Sequence, residues 1–417
     1  MSKGLMPDVS FVNLLAVVAV AVAAPLAVGY LPRLRIPAVV LEIAGGIVIG
    51  PSVLGWVHVD LPVSILALFG LAFLLFLAGL EIDVRRLRGQ LLRYAVLGYL
   101  VSLVLGYGVS ASFKAAGWIS QPLLLAITLA STALGLVVPV LKDASQLQSE
   151  IGQVALAAAS VADFTAIVLL SFFFSSSGGS TGSKIVILGA FAGLVAVTGL
   201  VVTGAARSVQ LGQVLVRLQD TTAEIRVRFA VLLLVAFTAL AVKFGLESIL
   251  GAFLAGAIVG LADRDSSSHP RFRAKLEAIG YGFLVPVFFV SSGIRLDLTG
   301  LLHNPSALVR VPVFLLALLV VRGLPALLGL RANGPKSTLA LGLLQATSLP
   351  FLVTATQIGV ALGKITPVTA AALVCAGLLS VLIFPLLALG ILRSAKPEPA
   401  GTEAATAAEP VPEPHLM

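Results

Sequence analysis

Residues 159–170 read A-S-V-A-D-F-T-A-I-V-L-L, and they place one carboxylate, Asp163, near the middle of an apolar run from Val154 to Phe174. The run is about as long as the ~20 residues that an α-helix needs to cross a lipid bilayer. An ionised aspartate at the centre of such a helix costs roughly 3 kcal/mol to insert. Because such a costly residue is retained when it has a function, the stretch predicts a membrane helix that carries a functional residue.

The composition of the whole chain agrees with this interpretation. The 417 residues are 59% hydrophobic and 11% charged, with a mean hydropathy of +1.08, whereas soluble domains are about 25% charged. The net charge of +8 comes from basic residues between apolar runs, which favours loops facing anionic lipid and gives no reason to expect nucleic acid. The single Cys375 excludes a disulfide framework. Zinc spacings, phosphate loops and nucleophile elbows are absent from the sequence, so we do not expect an enzyme.

Thirteen apolar spans follow one another along the chain. They lie at about residues 9–31, 36–56, 62–80, 90–112, 121–141, 151–174, 184–205, 225–242, 247–262, 276–293, 306–330, 337–360 and 366–392. If the first span starts outside the cell, nineteen Lys and Arg lie in cytoplasmic connections and the tail, and seven lie on the other side. Since cytoplasmic loops carry the positive excess, the pattern predicts an all-α protein of the cell (inner) membrane with about thirteen helices, its N-terminus outside and its C-terminus in the cytoplasm.

Three short motifs recur in order. A-G-G-I-V at 44–48, G-L-E-I-D at 79–83 and S-T-A-L-G at 131–135 resemble segments that follow at offsets of 211, 214 and 215 residues. The offset equals seven spans, an odd number, so the second copy is inverted in the membrane. Inverted repeats are typical of transporters that bind substrate near the bilayer midplane. We therefore expect repeats at about 36–174 and 247–392 and a cytoplasmic linker at about 206–224. Residues 1–394 would form one transmembrane domain, and the Pro-, Ala- and Glu-rich residues 395–417 a disordered cytoplasmic tail.

Two spans contain residues that weaken a helix at corresponding positions. The fifth reads T-L-A-S-T-A-L-G-L-V-V-P from Thr128 to Pro139, and the twelfth reads L-Q-A-T-S-L-P-F-L-V-T from Leu344 to Thr354. Unwound backbone at membrane depth is tolerated where it lines a cavity, and its carbonyls and nearby hydroxyls can surround a cation. A simple proline kink is the alternative. The candidate residues in the two segments are Ser131, Thr132, Gln345, Thr347 and Ser348.

Two charges lie deep inside spans, Asp163 and Arg322. A buried carboxyl group can bind either a proton or a hard monovalent cation, which is the chemistry that an exchanger needs. A guanidinium group stays protonated, so Arg322 suits a fixed counter-charge. A structural salt bridge between helices is the alternative for both residues. Other acidic residues, such as Glu81, fall near span ends, where a solvated or interfacial role is expected.

Four stretches carry a resemblance to a known family. They are I-P-A-V-V-L-E-I-A-G-G-I-V-I-G-P-S-V-L-G at 36–55, L-A-F-L-L-F-L-A-G-L-E-I-D at 71–83, G-A-F-L-A-G-A-I-V-G at 251–260 and P-V-F-F-V-S-S-G at 286–293. Together they resemble the monovalent cation:proton antiporter-2 family of the sodium/hydrogen exchanger superfamily, specifically a Kef-type membrane domain without the nucleotide-binding domain. The resemblance implies thirteen helices, a homodimer, a dimerisation domain, and a mobile core with two crossed discontinuous helices.

The resemblance also implies residue roles. The ion-binding aspartate of the family matches Asp163, the Ser/Thr segment of its broken helix matches Ser131 and Thr132, and its core basic residue matches Arg322. Many members have a polar residue just before the aspartate, where this chain has Ala162, and electrogenic members have Lys in place of Arg322. The resemblance thus favours electroneutral exchange of Na⁺ or K⁺, held at Asp163, for H⁺, without a cofactor. A gated cation channel and a sodium-coupled organic-anion carrier of the same fold remain alternatives.

Overall fold

A computed structural model describes residues 11–30, 37–81, 89–134, 137, 141, 146, 147, 149–174, 181–205, 224–263 and 270–394. The regular elements within these residues are all helical. The longer helices of the first half are α1 (Val12–Tyr30), α2 (Ala38–Ile49), α3 (Leu61–Leu80), α4 (Gly89–Ala115), α5 (Pro122–Leu129), α6 (Glu150–Phe174) and α7 (Thr181–Ala205). Those of the second half are α8 (Ile225–Lys243), α9 (Ser248–Ala262), α10 (Pro270–Ile279), α11 (Val285–Ile294), α12 (Leu298–Leu302), α13 (Pro305–Leu318), α14 (Leu330–Gln345), α15 (Pro350–Ala361) and α16 (Pro367–Ser394).

Two irregular turns extend these helices. A π-helical turn, Gly280–Leu284, joins α10 to α11, and a second, Leu319–Gly323, follows α13 and leads into a 3₁₀ segment, Leu324–Gly329. Among the described residues, nine helical segments are long and apolar enough to cross a membrane, and three shorter apolar helices accompany them. The chain is therefore a multi-pass, all-helical membrane protein. The exact count of thirteen stays a prediction, since most of residues 135–148, which include the end of the fifth span, lie outside the described part.

Some of the helices begin at a residue whose side chain caps the first turn. The Asp60 carboxylate accepts a hydrogen bond of 3.1 Å from the Val63 N–H at the start of α3, and Pro62 occupies its first turn. Asn304 caps α13 in the same way. Such caps satisfy backbone donors that have no partner inside the helix. Residues 206–223 of the predicted linker (206–224) and the predicted tail (395–417) lie outside the described residues.

The helices pack into two bundles. The first, called the scaffold bundle here, contains α1, α2, α3, α8, α9 and the continuous α10–α11 helix. The second, the core bundle, contains α4, α5, α6, α13, α14, α15 and α16. Helix α7 packs on α9 and α6, and α12 lies in the connection between the bundles.

Glycines set the closest approaches in the scaffold bundle. A Cβ at Gly46 of α2 would collide with the Val290 carbonyl oxygen of α11, and a Cβ at Gly293 would collide with the Ile43 carbonyl oxygen. Helices α3 and α9 meet in the same reciprocal way through Gly79 and Gly256. Small residues allow two helix backbones to come into contact. In lipid, where no hydrophobic effect drives helices together, this close van der Waals packing stabilises their association.

Candidate functional site

The two interrupted helices cross inside the core bundle. Helix α5 ends at Leu129 and residues 131–133 leave the helical conformation, while α14 ends at Gln345 and residues 347–349 do the same before α15 begins. The Ala133 N–H donates to the Thr347 carbonyl oxygen at 2.9 Å, so the two breaks are in backbone contact. The prediction of two discontinuous helices is confirmed within the described residues.

Hydroxyl groups satisfy the backbone around the breaks. Ser131 Oγ lies 2.8 Å from the Thr128 carbonyl oxygen, to which it donates, and 3.0 Å from Ser348 Oγ in the other break. Ser380 of α16 accepts from the Ser348 N–H at 3.2 Å. Non-helical backbone buried at membrane depth must find partners of this kind, because unpaired groups there cost several kcal/mol. Pro350, which has no N–H to leave unpaired, opens α15.

Asp163 of α6 lies beside the first break. Its Oδ2 accepts a hydrogen bond of 3.3 Å from the Leu134 N–H, and its Oδ1 is buried without a hydrogen-bond partner among the described residues. The residue as a whole is half-buried. A carboxylate with one oxygen held and one unpaired can take up a proton or a cation on the open oxygen.

Arg322 is buried and forms a hydrogen bond with the first break. Its Nε donates to Thr132 Oγ1 at 2.7 Å, its Nη1 to Ser102 Oγ at 3.1 Å and its Nη2 to the Ala158 carbonyl oxygen at 3.4 Å. The residue lies in the π-helical turn Leu319–Gly323, a distortion that often marks functional positions. The described ion pairs do not include one between Arg322 and Asp163, although the two groups interact electrostatically. Arg322 therefore sits where it can act on Asp163 at longer range while it fixes Thr132.

The structure brings the predicted site residues together, and it gives some of them partners that the sequence does not reveal. Thr132 Oγ1 accepts from Arg322 and donates to the Gln345 carbonyl oxygen at 2.7 Å, so its hydroxyl links both breaks. Thr347 Oγ1 bonds back to the Leu343 carbonyl oxygen at 3.2 Å. Ser131, Thr132, Gln345, Thr347 and Ser348 are all buried. Direct binding of a cation by these hydroxyls stays a prediction.

Two residues near the site were not identified from the sequence. Ser102 is one of three serines in the apolar helix α4, and nothing in the pattern marks it as the partner of Arg322. Glu81 follows α3 directly; its Oε2 is buried without a hydrogen-bond partner, and it interacts electrostatically with Asp163. Its position at the end of an apolar span suggested an interfacial role, and its buried oxygen is the feature that the sequence does not reveal.

Comparison with known proteins gives the class. Residues 18–389 match the family model described as the transmembrane sodium/hydrogen exchanger, and the chain belongs to this family. It is 31% identical over 400 residues to YjbQ of Bacillus subtilis, which is named as a candidate Na(+)/H(+) antiporter; the match covers 91% of this chain and 63% of that protein. The chain thus spans less than two thirds of that relative.

Two further similarities agree. The chain is 30% identical over 272 residues to the Na(+)/H(+) antiporter of Enterococcus hirae, with 64% of this chain and 68% of that protein covered. Among solved structures, the sodium proton antiporter MjNhaP1 from Methanocaldococcus jannaschii matches with a TM-score of 0.63 at 19% identity, covering 91% and 98% of the two chains. At this identity the structural match shows the fold, which is that of a sodium/proton antiporter.

Proposed function

We propose that the protein is a secondary antiporter that exchanges a monovalent cation, Na⁺ or K⁺, for H⁺ by alternating access. The observation that carries the proposal is the unpaired Oδ1 of Asp163, placed beside two crossed helix breaks in a membrane domain of the exchanger family. Intramembrane carboxylates are retained for ion binding or proton transfer. The names of the relatives, antiporters for Na⁺ and H⁺, point the same way.

In this mechanism Asp163 carries either ligand. With a cation, its carboxylate supplies one hard oxygen ligand, and carbonyls or hydroxyls of the breaks complete the shell; with a proton, the carboxyl group is neutral. The two states exclude each other at one site, which couples the two fluxes. Arg322 remains a fixed positive charge that holds Thr132 in place, and it releases no proton.

The packing supports alternating access between two bundles. The reciprocal glycine contacts join α2 to α11 and α3 to α9, so each contact joins a helix of the first proposed repeat to a helix of the second. This pattern fits two repeats related by a pseudo-two-fold axis. We propose that the scaffold bundle forms the interface of a homodimer and that the core bundle moves against it. From the positive-inside count we also propose that the N-terminus lies outside and the C-terminus in the cytoplasm, with the protein in the cell membrane.

The test uses proteoliposomes that contain a pH-sensitive dye. A pulse of Na⁺ or K⁺ at clamped voltage is applied to the wild type, to Asp163→Asn and to a matched control, Asp60→Asn, which retains a capping oxygen at the start of α3. We expect cation-driven proton movement in the wild type and the control and none in Asp163→Asn. Normal exchange by Asp163→Asn would contradict the mechanism, and cation current without proton counterflow would favour the channel alternative.

A further inference from the structure

Within the described residues, two side-chain hydrogen bonds join the scaffold bundle to the core bundle. Gln357 Nε2 of α15 donates to Ser292 Oγ of α11 at 3.0 Å. Ser171 Oγ of α6 accepts from the Glu247 N–H, directly before α9, at 3.1 Å. If the core moves against the scaffold, both bonds cross the sliding interface and must change during the cycle.

Both bonds lie at the same end of the molecule. Ser171 is three residues from the end of α6, Ser292 is two residues from the end of α11, and Gln357 is four residues from the end of α15. Helix α9, which starts just after Glu247, runs in the opposite direction. The alternation of spans places this end outside the cell.

A cavity of about 240 Å³ lies at this end between α11, α15 and α16. Ser292 and Gln357 line it, together with polar groups from Arg295, Asp297 and Thr356. Val353, three residues after Pro350, also lines it. The cavity therefore reaches from the end of the helices to within about one helical turn of the second break.

We propose that this cavity is the external vestibule of the ion path. The Gln357–Ser292 and Ser171–Glu247 hydrogen bonds form a latch that keeps the path from the vestibule to the site closed. The inference rests on the proposed alternating-access function. Most of the lining is apolar, and the side chains of Ser292, Asp297 and Gln357 are the polar groups past which a hydrated cation would move. Asp163 lies on α6, eight residues before Ser171 of the latch. A single neutral hydrogen bond biases a two-state equilibrium by about fivefold, so the latch sets how often the outward-facing state is visited.

The test measures access to the vestibule without needing transport. A cysteine is placed at the base of the cavity by Val353→Cys, on a Cys375→Ala background that removes the one native thiol. A membrane-impermeant maleimide is applied to the outer face of oriented proteoliposomes, and the labelling rate is followed. Adding Gln357→Leu or Ser292→Ala should raise that rate about threefold to tenfold. Ser171→Ala should raise it further in combination, because the two bonds are separate contacts.

Thr356→Val is the matched control. The Thr356 hydroxyl lines the same cavity but bonds only within its helix, to the Val353 carbonyl oxygen at 2.8 Å. We expect this variant to label at the parent rate. A single symmetric peak in size-exclusion chromatography and equal labelling after unfolding in detergent show that a variant is folded and that its thiol is intact. Ser292→Ala, a deletion of one oxygen, provides a mild variant if Gln357→Leu folds poorly.

The outcomes separate the latch from the antiport mechanism. Unchanged labelling in the folded latch variants, or labelling that rises from the cytoplasmic face instead, would overturn the latch while leaving the Asp163 exchange assay to stand on its own. Faster external labelling with an unaltered Thr356→Val control would establish it. An exchange assay in which Asp163→Asn is fully active would refute the proposed function without affecting the labelling result.

Discussion

The Thr132 hydroxyl connects three parts of the core. It accepts from Arg322 on the turn after α13, and it donates to the Gln345 carbonyl oxygen where α14 ends. The guanidinium in turn reaches Ser102 on α4. A planar fork with several fixed donors can hold several elements at once, which a lysine ammonium at the same place cannot reproduce. Arg322 therefore holds neighbouring elements together through hydrogen bonds in addition to carrying a positive charge. A stability measurement can separate these two roles.

We predict that Ser102→Ala destabilises the protein because it leaves one N–H of a buried guanidinium unpaired, at a cost of about 2 kcal/mol. Ser110→Ala on the same helix is the matched control: Ser110 is equally buried, but its Oγ has no hydrogen-bond partner among the described residues. The thermal unfolding midpoint of the purified protein should fall by several degrees in Ser102→Ala and stay level or rise in Ser110→Ala. Equal midpoints would show that the bond to Ser102 contributes nothing measurable.

The sequence reveals a site residue when its polarity differs clearly from that of the apolar span around it. Asp163 and Arg322 stand out because a charge in an apolar span is costly, and the breaks stand out because Ser, Thr and Pro interrupt two otherwise apolar runs. Ser102 has no such contrast. The partners of Gln357 and Thr132 lie dozens to hundreds of residues away, and only the packing of the helices brings them together. The π-helical turn at Arg322 is likewise set by packing and not by a local pattern.

At the scale of helices, we predict that Gly256→Ala damages the contact between α9 and α3. A Cβ at Gly256 would collide with the Phe76 carbonyl oxygen, and backbone on both sides leaves no flexible group to yield. Overpacking of this kind costs typically 1–3 kcal/mol. Gly189→Ala on α7, where a Cβ would meet nothing within 4 Å, is the control. Yield and monodispersity in size-exclusion chromatography should fall for Gly256→Ala alone, and a well-behaved Gly256→Ala protein would mean that the two helices separate at little cost.

For the molecule as a whole, the charge carried in each half of the cycle decides how membrane voltage acts. In the proposed mechanism, the site is neutral when Asp163 moves with a bound monovalent cation, and it is again neutral when Asp163 returns with a proton. Arg322 contributes the same charge in both directions because it stays protonated. One full cycle of the proposed exchange would therefore move no net charge. A cycle that moved one charge would gain or lose about 2.3 kcal/mol per 100 mV, a bias of roughly fiftyfold.

We therefore predict electroneutral exchange. On a solid-supported membrane, a cation jump should produce no transport current beyond that of Asp163→Asn, while the trapped dye in the same preparation reports proton movement. A proton ionophore added afterwards, under the same gradient, confirms that the electrode detects charge. A sustained current that scales with dye response and reverses with voltage would mean that a second group titrates in each cycle. Glu81, whose buried oxygen is unpaired near Asp163, would then be the first residue to replace.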